Sequence, residues 1–203
     1  MKIHKTYSHL NGEEYLLVHK QNLYDEIKSV IRLIDASKYK TKVSKEKRKA
    51  GNKLYSPIEL NKAFSEKLVA LGWVGRRRDY YVSDKYEIVK VIESMTFEEQ
   101  KEYLLKSGEP LIYSFNQTDF VKEGVAIEVQ LGKYFAVAFD LFVKHLSFFN
   151  AGVINVGVEI VPSKELQEQM SSGPPFFEKE VHNILRHGRN SPAVPIVMIG
   201  VSP

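Results

Sequence analysis

The segment from Asp119 to Gln130 constrains the possible folds more than any other part of this chain. An apolar stretch ends at Asp119, a polar turn follows at 122–124, and a second apolar stretch runs over 125–130. In the second stretch the odd positions are apolar, and the even positions include Glu128 and Gln130. Because the side chains of a β-strand alternate between two faces, this pattern predicts paired strands with Glu128 and Gln130 on one face, close to Asp119.

The rest of the chain predicts helices that alternate with strands. Ser56-Pro57-Ile58-Glu59 combines a Ser N-cap, a first-turn Pro and a following Glu, and Gly72 suits the end of that helix. Helices are predicted over 10–37, 56–71, 87–94, 97–106, 134–149 and 163–172, and strands over 112–119, 125–130, 153–161 and 194–201. A polar hairpin with Arg76-Arg77-Arg78 at its tip is predicted after Gly72. This alternation predicts an α/β fold with a mixed central β-sheet flanked by helices.

Composition limits the classes of partner and site. The 203 residues carry a net charge of +4 and a sequence pI of about 9.0, which suits polyanionic partners, although a merely basic protein has the same balance. The absence of cysteine excludes disulfides and thiolate zinc sites. The longest apolar run, over 134–149, is broken by Asp140, Lys144 and His145, and the N-terminus lacks an apolar segment. We therefore predict neither a signal peptide nor a membrane span, and expect a cytoplasmic location.

Two carboxylates that meet on a strand pair can hold a hard divalent cation. Mg²⁺ prefers oxygen ligands and keeps several waters, so Asp119 and Glu128 are the candidate ligands and also candidate catalytic residues. Gln130 can orient a water or a phosphate, but an amide cannot act as a general base. Two alternatives remain open from spacing alone: an ordinary hairpin with a capping Asp119 and a solvated Glu128, and a two-carboxylate hydrolase acting on sugars.

The same segment resembles the active-site motif of the PD-(D/E)XK nucleases, with Gln130 where most members have Lys. Asp followed by Glu-Val-Gln is the pattern of the BstYI/BglII-like type II restriction endonucleases. Segments similar to that family extend from end to end: Tyr-Ser-His-Leu-Asn-Gly at 7–12 and further segments at 44–47, 54–57, 80–82, 116–122, 140–145, 156–159, 170–173 and 199–200.

This resemblance implies a Mg²⁺-dependent homodimeric restriction endonuclease with a restriction-endonuclease-like fold. It implies cleavage of double-stranded DNA at a palindromic, GATC-centred site, R-GATC-Y, before the G, which leaves 5′-phosphates and four-base 5′ overhangs. A cognate DNA methyltransferase is then expected in the same host, as part of a restriction-modification system. The chain is expected to be a single domain over 1–203, with a possible small DNA-contacting arm around 38–85.

Several basic and small polar residues are candidates for DNA contacts. In the basic run over 38–53, Lys45 and Lys47 are predicted to contact phosphates, although a solvated loop has the same composition. The resemblance aligns Lys133 and the segment Ser171-Ser172 with groove-reading positions, and a lysine can donate to guanine O6 and N7. Arg186 and Arg189, in a predicted basic loop, are candidates for phosphate or base contacts or for a structural role. The rivals to a specific endonuclease are a non-catalytic DNA-binding module and a structure-specific repair or junction nuclease.

Overall fold

Six long strands form one sheet that runs through the middle of the molecule. The computed structural model describes residues 1–44, 50–171 and 173–203. The strands found in these ranges are β1 (Lys2–His9), β2 (Lys42–Val43), β3 (Lys53–Leu54), β4 (Val74–Val82), β5 (Ile112–Lys122), β6 (Val125–Val129), β7 (Val156–Pro162) and β8 (Ile196–Ser202). The sheet has the order β1-β8-β7-β6-β5-β4, and β2 pairs with β3 in a separate two-stranded ribbon.

Helices connect and cover these strands. The α-helices of the described residues are α1 (Gly12–His19), α2 (Gln21–Leu33), α3 (Pro57–Ala70), α4 (Tyr86–Ile92), α5 (Phe97–Lys106), α6 (Ala136–Phe139), α7 (Leu146–Asn150), α8 (Lys164–Glu168) and α9 (Phe177–His187). A 3₁₀ turn spans Ala36–Tyr39, and a π-helical segment, Asp140–His145, joins α6 to α7 into one continuous helix over 136–150.

The sheet is mixed, as the sequence predicts. The central strands β6, β7 and β8 are parallel, while β1, β5 and β4 run antiparallel to their neighbours. All residues of β6 and β7 are buried, which requires cover on both faces. The odd residues of β6 join a core that also contains α1, α2 and α3, whereas Ala126 packs with Phe148 on the opposite face. The predicted alternation of β6 is therefore confirmed.

Local sequence signals account for the ends of several elements. The Ser56 hydroxyl accepts a hydrogen bond from the Glu59 backbone N–H at 3.4 Å, so it caps α3 as predicted. The β5–β6 hairpin turns through Glu123 and Gly124, with φ of 46° and 80°. A left-handed φ costs little at glycine, so Gly124 permits this tight turn. The length of the turn fixes the register, which sets Phe120 opposite Ile127.

Three sequence predictions about local structure were wrong. The helix predicted over 10–37 is two helices, because the backbone leaves the helical region at Lys20 (φ −141°, ψ 35°). The arginines 76–78 are not at a hairpin tip; they lie within β4, where Arg77 pairs with Gln117 of β5. Arg186 is not in a loop but in the last turn of α9, which ends at Gly188 (φ 90°). Within the described ranges, no helix has the length and apolar character needed to cross a membrane.

Candidate active site

The β5–β6 hairpin brings Asp119 and Glu128 together as the sequence predicts. The backbone N–H of Asp119 donates to Oε1 of Glu128 at 3.3 Å. Asp119 is exposed, while the side chain of Glu128 is fully buried. Asp119 lines a cavity of about 770 Å³ together with Gln130, Lys133 and other polar residues. The exposed carboxylate of the pair is therefore accessible from this cavity.

Gln130 lies on the same side of the sheet as Glu128, just past the end of β6. Its backbone N–H donates to the carbonyl of Ile160 at 2.9 Å, which extends the pairing with β7 by one residue. Strand alternation therefore turns the amide toward the cavity that Asp119 lines. Its Nε2 atom donates to Oδ2 of Asp140 at 2.7 Å.

The π-helical segment adds two charged residues to the site that the sequence reasoning did not identify. The Nζ atom of Lys144 lies 2.8 Å from Oε1 of Glu128 and 2.8 Å from Oδ1 of Asp140. The side chains of Lys144 and Asp140 are only 11% and 2% exposed. A π-helical turn closes over five residues and occurs frequently at functional sites. Here it sets Asp140, Lys144 and His145 against the same face of the sheet, where all three are buried.

Burial and mutual repulsion change the proton affinity of these groups. Burial, together with the charges of Asp140 and Asp119, raises the pKa of Glu128 to about 8 despite the nearby Lys144. Burial also raises the pKa of Asp140. Burial lowers the pKa of Lys144, but the two carboxylates outweigh that effect and the net pKa is raised, so the ammonium stays charged. Three carboxylates against one ammonium leave the site short of positive charge when all are ionised.

A divalent cation fits this donor set. The Oε2 atom of Glu128 and the Oδ1 atom of Asn61 are both buried without a hydrogen-bond partner among the described residues. Asn61 lines the same cavity from α3, although the sequence reasoning did not select it. No group of three His, Cys, Asp or Glu residues in the described ranges could hold a metal without other ligands. Two carboxylates, an amide oxygen and waters are an ordinary shell for Mg²⁺, which rarely uses an all-protein cage.

A neutral polar pair lies beside the carboxylate site. Glu159 of β7 is in register with Glu128 of β6, and its Oε1 is hydrogen-bonded to Nε2 of His145 at 2.9 Å. Burial lowers the pKa of His145 to about 3 and raises the pKa of Glu159 well above its usual value. Gly157 makes room for the imidazole, because a Cβ there would lie 2.6 Å from Nδ1. This pair supports the sheet face without adding a charge to it.

The structure brings some of the predicted DNA-contacting residues to the cavity. Lys133 and Ser171 line it, and so does Lys42, which belongs to the same basic run as two further candidates. Those two, Lys45 and Lys47, lie outside the described residues, as does Ser172. Arg186 and Arg189 are exposed near the end of α9 and are not among the residues that line this cavity.

A known protein family and a solved structure are similar to this chain. No curated protein sequence matches the chain. The structure is similar to that of restriction endonuclease BglII complexed with a DNA 16-mer, with a TM-score of 0.64 over 100% of this chain and 79% of that chain. At 16% sequence identity this likeness establishes a restriction-endonuclease-like α/β fold. The sequence model of the restriction endonuclease BglII/BglIII family matches residues 4–201, almost the whole chain, including the hairpin with Asp119 and Glu128. The chain therefore belongs to the BglII/BglIII family of restriction endonucleases and is a type II site-specific deoxyribonuclease.

Proposed function

We propose that this endonuclease is Mg²⁺-dependent and cuts double-stranded DNA at R-GATC-Y, before the G, to leave four-base 5′ overhangs. Asp119, Glu128 and Gln130 are its proposed active-site residues. The observation that carries the metal dependence is the meeting of Asp119 and the buried Glu128 on one hairpin, with Oε2 of Glu128 left without a partner among the described residues. A buried carboxylate oxygen without a partner is costly, and a metal ion would satisfy it. The cleavage site is proposed from the resemblance of the Asp119 and Glu128-Val129-Gln130 pattern to the family.

Each residue of the site has a separate proposed role in the reaction. Asp119 and Glu128 would hold the metal, and Asn61 offers an amide oxygen at the same cavity. Mg²⁺, when bound, polarises the phosphoryl oxygen and offsets charge on the leaving oxygen. Gln130 orients the attacking water or the phosphate by a hydrogen bond. The water oxygen bonds to phosphorus and releases a proton to solvent, while the bond from phosphorus to the 3′ oxygen breaks and that oxygen takes up a proton from solvent. This in-line displacement gives a 5′-phosphate and a 3′-hydroxyl.

The two-fold symmetry of the proposed DNA site indicates which partners the protein needs. A palindromic site is matched by a homodimer with two-fold symmetry, in which each subunit cuts one strand. Lys133, Ser171 and Ser172 are proposed to read base edges. Lys42, Lys45 and Lys47, from a basic arm within 38–85 of the single domain, are proposed to contact phosphates, as are Arg186 and Arg189. A cognate methyltransferase and a cytoplasmic location complete the proposal.

One digestion separates this proposal from its rivals. A sequenced plasmid is incubated with the protein and Mg²⁺, and the ends of the products are mapped. We expect cuts confined to R-GATC-Y sites, with four-base 5′ overhangs. Cleavage at forks or junctions regardless of sequence would favour a structure-specific nuclease. Specific binding without any cleavage would favour a non-catalytic module. A matched plasmid without R-GATC-Y sites serves as the control and is expected to remain intact.

Stabilisation of the protein by Mg²⁺ is expected to increase as the pH rises from about 6.5 to 9. The pKa of Glu128 is about 8 in the folded protein against an ordinary value of 4.5, so without metal the folded state holds a proton at the start of that window and releases it as the pH passes 8. Protonation of Glu128 therefore stabilises the folded state fully below about pH 4.5. This stabilisation is lost as the pH rises through 8. Metal binding requires the ionised form, so the gain in melting temperature with Mg²⁺ over EDTA should grow through that pH range.

The Glu128→Gln variant is the control for this pH dependence. An amide does not titrate, so the gain in melting temperature with Mg²⁺ should be small in this variant and should not increase with pH. A wild-type gain that is the same at pH 6.5 and pH 9 would contradict the role of Glu128 as a ligand. Thermal unfolding followed by circular dichroism measures both proteins without any DNA present.

A further inference from the structure

The orientation of the Gln130 amide is determined by a neighbour rather than by Gln130 itself. Asp140 carries two carboxylate oxygens with different partners: Oδ1 accepts from Lys144 at 2.8 Å, and Oδ2 accepts from Nε2 of Gln130 at 2.7 Å. An ionised carboxylate only accepts hydrogen bonds. It therefore selects the NH₂ end of the amide and leaves the carbonyl oxygen of Gln130 for the cavity.

We propose that Asp140, anchored by Lys144, is a positioning residue that holds the Gln130 amide with its carbonyl oxygen toward the cavity, where it accepts a hydrogen bond from the attacking water. This inference rests on the proposed function and decides how Gln130 acts within it. A carbonyl oxygen accepts hydrogen bonds, so Gln130 orients the attacking water. The opposite orientation would present the NH₂ group and would make Gln130 a donor to the phosphate.

The burial of the network supports a fixed orientation. Asp140 and Lys144 are almost fully buried, and they are held in the π-helical segment at positions i and i+4. Lys144 is also held at its other side by Oε1 of Glu128 at 2.8 Å, so the ammonium cannot turn away without losing two oxygen partners. Side-chain hydrogen bonds in such surroundings are stronger than in water, and partners that orient functional groups typically affect affinity or activity by about 10- to 100-fold.

The Asp140→Asn variant tests the proposal because it keeps the shape and reverses one hydrogen bond. The oxygen of the new amide must still accept from Lys144, so its NH₂ group faces Gln130. The Gln130 amide is then expected to turn over and present its own NH₂ group to the cavity. We expect kcat to fall by about 10- to 100-fold, with little change in DNA affinity.

A double-mutant cycle distinguishes positioning from general support of the fold. If Asp140 acts through Gln130, adding Asp140→Asn to Gln130→Ala should change kcat by less than about twofold. Additive losses in the double variant would overturn the proposal. Glu159→Gln changes another buried side chain on the same sheet face and is the matched control. Its effect is expected to be the same with and without Gln130→Ala.

A second readout needs neither DNA nor metal. In ¹⁵N-labelled protein in EDTA, the side-chain NH₂ signals of Gln130 are identified by their loss in Gln130→Ala. We expect one of these protons to exchange slowly in the wild type and rapidly in Asp140→Asn. Unchanged signals and exchange in the variant would overturn the inference, even if the wild type cuts DNA.

If the wild type cuts no DNA, the proposed function fails, and this measurement still tests the orientation. If Asp140→Asn does not fold, Asp140→Leu, which removes the acceptor and leaves Lys144 beside Glu128, is expected to give the same loss of protection.

Discussion

Asp119→Asn and Glu128→Gln are each expected to lower the rate of DNA cleavage by about 10³-fold or more while specific DNA binding persists. Both changes replace a carboxylate by an amide of the same shape, so the hairpin and the cavity should remain. The loss comes from the metal, which contributes several kcal/mol to the stabilisation of charge in phosphoryl transfer, and about 1.4 kcal/mol corresponds to a tenfold change in rate. The rate is measured under single-turnover conditions with a labelled duplex that contains one R-GATC-Y site.

The control for these variants is a carboxylate on the same hairpin that lies away from the cavity. Glu123, in the turn between β5 and β6, is exposed and forms a 3.2 Å ion pair with Lys20. Glu123→Gln is expected to cleave within about twofold of the wild type, since an exposed ion pair contributes little. Near-normal cleavage by both Asp119→Asn and Glu128→Gln would show that the active site lies elsewhere. Loss of binding together with cleavage would indicate that the carboxylates support the fold instead.

The part of the site that depends on strand alternation could be predicted from sequence. A period of two residues fixes which side chains share a face, and the short turn at Glu123-Gly124 forces β5 and β6 to pair. Together these place Asp119 near Glu128 without any knowledge of the other strands. The same local logic placed the start of α3 at Ser56, because capping involves residues only three positions apart.

The part of the site that depends on contacts across the sheet could not be predicted in this way. Asp140 and Lys144 reach Gln130 and Glu128 only because the π-helical segment packs over β6. The sequence did contain a sign of this arrangement. Polar residues at 140, 144 and 145 interrupt an otherwise apolar helix on one side, and a buried polar side requires polar partners. These polar residues were used only to exclude a membrane span, so they were not predicted to belong to the site.

Elements without a strong local pattern were also misjudged. In β4, Arg76, Arg77 and Arg78 resemble a solvated turn because nothing in their composition favours a strand. They are held there by pairing with β5, and Arg78 is further fixed by Glu93 at 2.8 Å. Each of these arginines pairs with a residue more than thirty positions further along the chain, so the pairing is a tertiary effect that overrides weak local preference.

Lys133→Ala is expected to reduce affinity for the specific site by between about 30-fold and 10⁴-fold while non-specific binding changes little. Lys133 is exposed in the loop after β6 and lines the cavity beside Gln130. A well-made contact to a base edge contributes about 1–3 kcal/mol of discrimination, and a homodimer makes it twice. Fluorescence anisotropy with an R-GATC-Y duplex and a scrambled duplex, in the cleavage-deficient Asp119→Asn background, measures the ratio directly.

Lys42→Ala separates base reading from attraction to phosphate. Lys42 lines the same cavity from β2 and has the same charge, but it is proposed to touch the DNA backbone. Without its ammonium, binding to both duplexes should weaken equally, and the slope of log affinity against log salt should fall by about 0.9 for each phosphate no longer neutralised. Lys133→Ala should instead change the ratio between the two duplexes. Equal weakening on both duplexes in Lys133→Ala would assign Lys133 to the phosphates and would leave the reading of base edges to other residues of the cavity.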